Sequence, residues 1–177
     1  MKQRILVSLL VAGLALVAVS VAVAGTMTTT ATVSGSGTVS VYVPSSSTLS
    51  DTLDGTDQTV TYAPALGVLD ARGNGAGWNL TVSATTFSDG ATHTLAPGSI
   101  SAVAQACHSG SSCTQATSSG FTYPLTLSST ATKFFSAASQ TGLGKVDVTP
   151  TVSVAIPGNA YAGTYSSTVT IAAATGP

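Results

Sequence analysis

The chain has 177 residues, 44% of them hydrophobic and only 6% charged, with a formal net charge of −1. That balance leaves no basic footprint for nucleic acid and no polybasic cluster for anionic lipid. It is not a disorder composition either, because apolar content is high and net charge is low.

Lys2 and Arg4 form a short positive start, and Ile5 to Ala24 then runs without a charge. The run closes on Ala22-Val23-Ala24, the small-x-small pattern of a signal peptidase site. This is the layout of a secretory signal peptide, with residues 1–24 as leader and 25–177 as a single mature domain. The competing reading is an uncleaved anchor, since about 20 apolar residues can span a bilayer. Gly25-Thr26-Met27-Thr28 carries no stop-transfer charge, which favours cleavage. Once Lys2 and Arg4 are removed, Arg72, Lys133 and Lys145 face six aspartates and no glutamate, a net of −3.

The rest reads as short alternating runs between turn residues. Thr30–Ser34 and Thr38–Val43 alternate with period two around Gly35-Ser36-Gly37, and Pro44 ends the second run. Gln58–Tyr62 follows. Trp78–Ala84 places Trp78, Leu80, Val82 and Ala84 on one face. Phe121–Leu127, Lys145–Ile156 and Tyr165–Ala172 behave alike. Ser88-Asp89-Gly90, Pro97-Gly98 and Pro157-Gly158-Asn159 supply turns. No window beyond the leader shows a 3.6-residue apolar period, and Ser, Thr and Val disfavour helices. The fold class is therefore all-β, an antiparallel β-sandwich of Ig-like or Greek-key type.

Cys107 and Cys113 enclose His108-Ser109-Gly110-Ser111-Ser112. In an exported chain such a pair is read as a disulfide. The alternative, a metal held by Cys107, His108 and Cys113, lacks a fourth ligand nearby. His93 and His108 read as solvated loop residues. No Gly-x-Ser-x-Gly elbow is present, and paired carboxylates could come only from Asp, so no catalytic residue and no cofactor is expected. Asp51, Asp54 and Asp57 read as solvated turn residues, with a weak Ca²⁺ site as the alternative, since the stretch lacks the full loop pattern and its closing Glu.

The most distinctive stretch is Leu69-Asp70-Ala71-Arg72-Gly73-Asn74-Gly75-Ala76-Gly77-Trp78-Asn79-Leu80-Thr81-Val82-Ser83, which reads as a strand end, a Gly-rich turn and a strand. Its glycines permit positive φ. Asp70 and Arg72 can pair across the turn, a contact worth little if exposed. Trp78, the single Trp, opens a strand as a core anchor. This stretch resembles the first motif of the WxL surface domains of Gram-positive bacteria, where an Asp-x-Arg-Gly turn leads into a Gly-Trp-x-Leu-Thr-Val strand. The likeness continues to Tyr165 and the strand after it, with Ile171 standing where the family carries a second Trp. The resemblance implies a cell-wall or cell-surface location and a binding role for Asp70, Arg72, Gly77, Trp78, Leu80 and Tyr165. The ending Gly163-Thr164-Tyr165-x-x-x-Val169 also looks like the last strand of spore-coat-U-type secreted sandwiches.

The leading expectation is a secreted, non-catalytic envelope protein that binds wall polymer or partner surface proteins. Trp78, Tyr42, Tyr62, Tyr161 and Tyr165 are candidates for an aromatic face. Membrane association follows only if the leader is uncleaved. The alternative is a filament or coat subunit that self-assembles by strand addition, with Thr28–Val43 long enough to be donated. A secreted hydrolase is the third reading.

Overall fold

The computed structural model describes residues 28–35 and 37–177. The expected leader, residues 1–24, lies outside the described residues. Residues 28–32 are exposed and without regular structure, and Val33–Pro177 forms one compact unit. Among the described residues every regular element is a strand.

The larger sheet is organised on its longest strand, β10 (Gly144–Ile156). One edge of β10 changes partner along its length. Its first half pairs β3 (Leu66–Asp70), with Val148 opposite Leu66, and its second half pairs β2 (Gln58–Tyr62), with Val154 opposite Val60. Pro150 sits in the gap between those two partners, beside a register shift at Thr151/Val152. A proline has no N–H to donate, and this is the place where the ladder on that edge is interrupted. The other edge of β10 pairs β7 (Ser99–Cys107). β1 (Val39–Tyr42) extends the sheet beyond β3, and β8 (Leu125–Thr126) extends it beyond β7.

The second sheet has β4 (Trp78–Ala84) at its centre, between β11 (Val169–Thr175) and β9 (Thr132–Ala137). A small hairpin of β5 (Phe87–Ser88) and β6 (Thr94–Leu95) stands apart. All pairings are antiparallel. The two sheets close on one core, so the fold is the antiparallel β-sandwich that the turn spacing predicts. Trp78, Leu80, Val82 and Ala84 from β4 meet Val146, Val148 and Val152 from β10, all buried.

Several expectations need correction. Thr30–Ser34 is not a strand. It has no ladder partner, and Val33 is 94% exposed, so its alternation has no face to bury. Phe121–Leu127 shrinks to Leu125–Thr126, beginning only after Pro124, which lacks a donor. The last strand starts at Val169 rather than Tyr165. Before it, Ser166 makes an isolated bridge to Ser88 on the hairpin.

Candidate functional site

The Asp70–Leu80 stretch builds a knot at one end of the sandwich. Asp70 ends β3 and Trp78 begins β4, so the Gly-rich turn joins the two sheets. Arg72 grips Asp70 with both arms of its guanidinium, Nε to Oδ1 at 2.8 Å and Nη2 to Oδ2 at 2.8 Å. The same side chain donates to the Gly77 carbonyl at 2.6 Å and to Thr175 Oγ1 at 3.0 Å. The two side chains are 5% and 0% exposed. The pair is therefore buried, not the exposed contact of little value. Hydrogen bonding from Arg72 holds the Asp70 carboxyl below its ordinary value, and Asp70 in turn raises Arg72.

Trp78 is wholly buried. Its Nε1–H donates to the carbonyl of Gly142 at 2.9 Å, across the β9–β10 turn. Its ring lies 6.0 Å from that of Phe135. Gly77 and Gly142 both have positive φ, 71° and 72°. A Cβ on Gly77 would strike the Ala137 carbonyl, and one on Gly142 would lie 2.5 Å from Trp78 Nε1. Glycine is required at both places by conformation and by space. Gly176 N–H donates to the Gly77 carbonyl at 3.1 Å, and Asn79 Nδ2–H donates to the Gly176 carbonyl at 2.7 Å, so the end of β11 is sewn to the same knot. Asp70, Gly77, Trp78 and Leu80 offer no surface to a ligand in this conformation.

Tyr165 lies elsewhere, in the connection before β11. Its hydroxyl donates to the Tyr161 carbonyl at 2.8 Å. Ile171, on β11 at the place of the expected second Trp, pairs with Val82 of β4, packs against the core and lines a small apolar cleft. Beside that cleft opens a groove of about 790 Å³. The 47–53 loop forms one wall and the 160–165 segment the other, with Phe87 and Ile156 in the lining. Asp51 is the only charged residue there.

Of the five aromatics singled out, Tyr161 and Tyr165 meet at this groove, and Phe87 joins them. Trp78 is core, Tyr62 is half-buried, and Tyr42 is 69% exposed on β1. Phe87 and residues 47–50 of the wall are not singled out by sequence, and Asp51 is singled out only as a turn residue or Ca²⁺ ligand. The one signal for them is the long connection 43–57, since loops of that length without secondary structure are uncommon unless they have a task.

Both histidines are partly exposed loop residues, as expected, but each is paired with an aspartate. His93 Nδ1 lies 2.6 Å from Asp89 Oδ2, and its ring stacks on Tyr161 with centroids 4.0 Å apart and planes at 24°. His108 Nδ1 lies 2.9 Å from Asp147 Oδ1. The N–H of Ala91 first, and His93 next, hold the Asp89 carboxyl below its ordinary value. Asp51 and Asp54 anchor local turns, and Asp57 ties the loop to the distant 157–159 turn. Asp51 accepts from Thr52 N–H, Asp54 from Thr56 N–H and hydroxyl, and Asp57 from Gly158 N–H.

Cys107 and Cys113 are joined in a disulfide, with Cα atoms 5.5 Å apart, so neither thiol is available to a metal. The bridge closes a short loop at the end of β7. Reduction is expected to lower stability by about 2 kcal/mol, the chain-entropy value for so small a ring. Thermal unfolding with and without a reductant measures it. A loss near zero would mean that the loop is held without the bridge.

A family model described as the WxL domain, surface cell wall-binding, matches residues 28–172. No curated protein and no solved structure matches the chain.

Proposed function

The chain belongs to the WxL family of surface cell wall-binding domains, and from that premise we propose that it is an exported, non-catalytic protein that holds to a polymer of the bacterial wall. The observation that carries the proposal is the family match across residues 28–172. Export rests on the leader pattern of Lys2, Arg4 and the run ending at Ala24. The non-catalytic reading is supported by the family, whose description is wall binding. In this reading Asp70, Arg72, Gly77, Trp78 and Leu80 act from inside the fold. They tie the sheets together and fix the loops that reach the polymer.

Assembly by strand addition is the second reading. Its support is that residues 28–34 are exposed and, among the described residues, pair with no strand. One sedimentation experiment separates the two. The purified chain is spun with and without isolated cell walls at matched concentration. Wall binding predicts a pellet only with walls. A pellet that forms without them would instead favour self-assembly, and recovery of all the protein in the supernatant in both tubes would sink both.

A further inference from the structure

The groove beside Tyr161 has a chemistry that narrows its ligand. Its volume, about 790 Å³, falls in the range of small-ligand sites, roughly 300–1,000 Å³. Its rim is hydroxyl-rich, with Ser47, Thr48, Ser50 and Thr52 along one wall. Among the described residues no lysine or arginine lines it, and Arg72 is spent on Asp70. An anionic polymer therefore finds no counter-charge there, and Asp51 would repel it.

Tyr161 is 66% exposed, yet it is held in place. His93 covers one face of its ring, and Asp89 fixes His93 from behind. Tyr165 pins its carbonyl. An aromatic ring kept out in water at a groove edge, with one face held by His93 and its backbone held by Tyr165, lowers the ordering cost of a ligand that stacks on it. A sugar ring has one apolar C–H face for the tyrosine and hydroxyl and amide edges for the Ser/Thr rim.

We propose that this groove takes an uncharged N-acetylhexosamine strand, with Tyr161 as its stacking platform and His93 as the residue that positions the platform. The proposal rests on the wall-binding reading and assigns it a place.

The probe is a soluble β-1,4-linked N-acetylglucosamine oligomer, titrated into the full chain by calorimetry, together with sedimentation on isolated walls. Tyr161→Ala is expected to weaken both by about tenfold, the loss typical of truncating a tyrosine at the centre of a contact. Tyr42→Ala, equally exposed on β1, is expected to change neither. The thermal midpoint of each variant checks that the fold is kept. His93→Ala is expected to weaken oligomer binding by less than Tyr161→Ala. If Tyr161→Ala binds walls as the parent chain does, the groove is not the site, while the wall-binding reading stands. If the parent chain fails to bind walls, that reading falls and this proposal with it. A phosphodiester wall polymer that binds at the groove where the neutral oligomer does not would also overturn the assignment.

Discussion

Arg72→Ala is expected to destabilise the domain by about 3–5 kcal/mol, the usual cost of stripping one partner from a buried ion pair. The geometry explains the size. Asp70 is fully buried, and both of its carboxylate oxygens accept from Arg72. Without the guanidinium, that charge stays in the interior with only the Arg72 backbone N–H beside it, at 3.1 Å. Arg72→Lys recovers little, since one ammonium cannot reproduce the two-armed contact or reach Gly77 and Thr175 at once. Denaturant unfolding measures each loss. In a double-mutant cycle, Asp70→Asn with Arg72→Ala is expected to lose less than the two single losses added together, because the pair acts as a unit.

The same pair sets a response to acid. The folded carboxyl of Asp70 is held below its ordinary value by hydrogen bonds from Arg72. A depressed pKa adds stability that is complete above the unfolded value, about 3.9, and is lost as pH falls through the folded one. The parent chain should thus lose stability on acidification below about pH 4, where the unfolded carboxyl begins to bind its proton. Asp70→Asn should flatten that part of the curve.

Much of the fold is legible in the sequence where large apolar residues alternate without interruption. β2, β4 and most of β10 are read this way, because every second Val, Leu or Trp faces the core. The strands that escape have physical reasons to do so. β3 is read only at its end, Leu69-Asp70, because Gly67, opposite Tyr42 on β1, breaks an already short pattern. β7 is mostly Ala and Ser, whose small side chains blur the amphipathic signal, yet its backbone pairs along most of β10. β9 buries four consecutive residues, Phe134 to Ala137. Its second side is covered by the 116–123 segment, where Tyr123 donates to the Phe134 carbonyl and Ser118 accepts from Ser136 N–H. No alternation can survive that double cover.

The site divides in the same way. The Asp-x-Arg-Gly and Trp-x-Leu residues stand out as a motif, but nothing local reveals that they are buried. Their partners are Gly142, Thr175 and Gly176, far along the chain. The groove is harder still. It joins residues near 50, 87 and 160 through loops that have no period to read.

Trp78 carries the second large expected effect and decides what the motif is for. Trp78→Ala should cost about 3–5 kcal/mol, the range for emptying a buried aromatic site. That is a large share of the roughly 5–15 kcal/mol that holds a domain together. Trp78→Phe keeps the six-membered ring but loses the pyrrole part of the indole and with it the Nε1–H bond to Gly142, whose unpaired carbonyl alone costs about 1–3 kcal/mol. Because Trp78 is the single Trp, its emission reports unfolding of the parent chain, while circular dichroism must follow the variants. Equal losses in the two variants would mean that the hydrogen bond, not the packing, carries the effect. The comparison also tests function. Trp78 is 0% exposed, so a ligand cannot touch it in the folded chain. Trp78→Phe, held well below its melting point, is therefore expected to sediment with walls as the parent does. A folded Trp78→Phe chain that no longer binds walls would show that the motif opens to meet the polymer, and the buried knot would then be the resting form of the site.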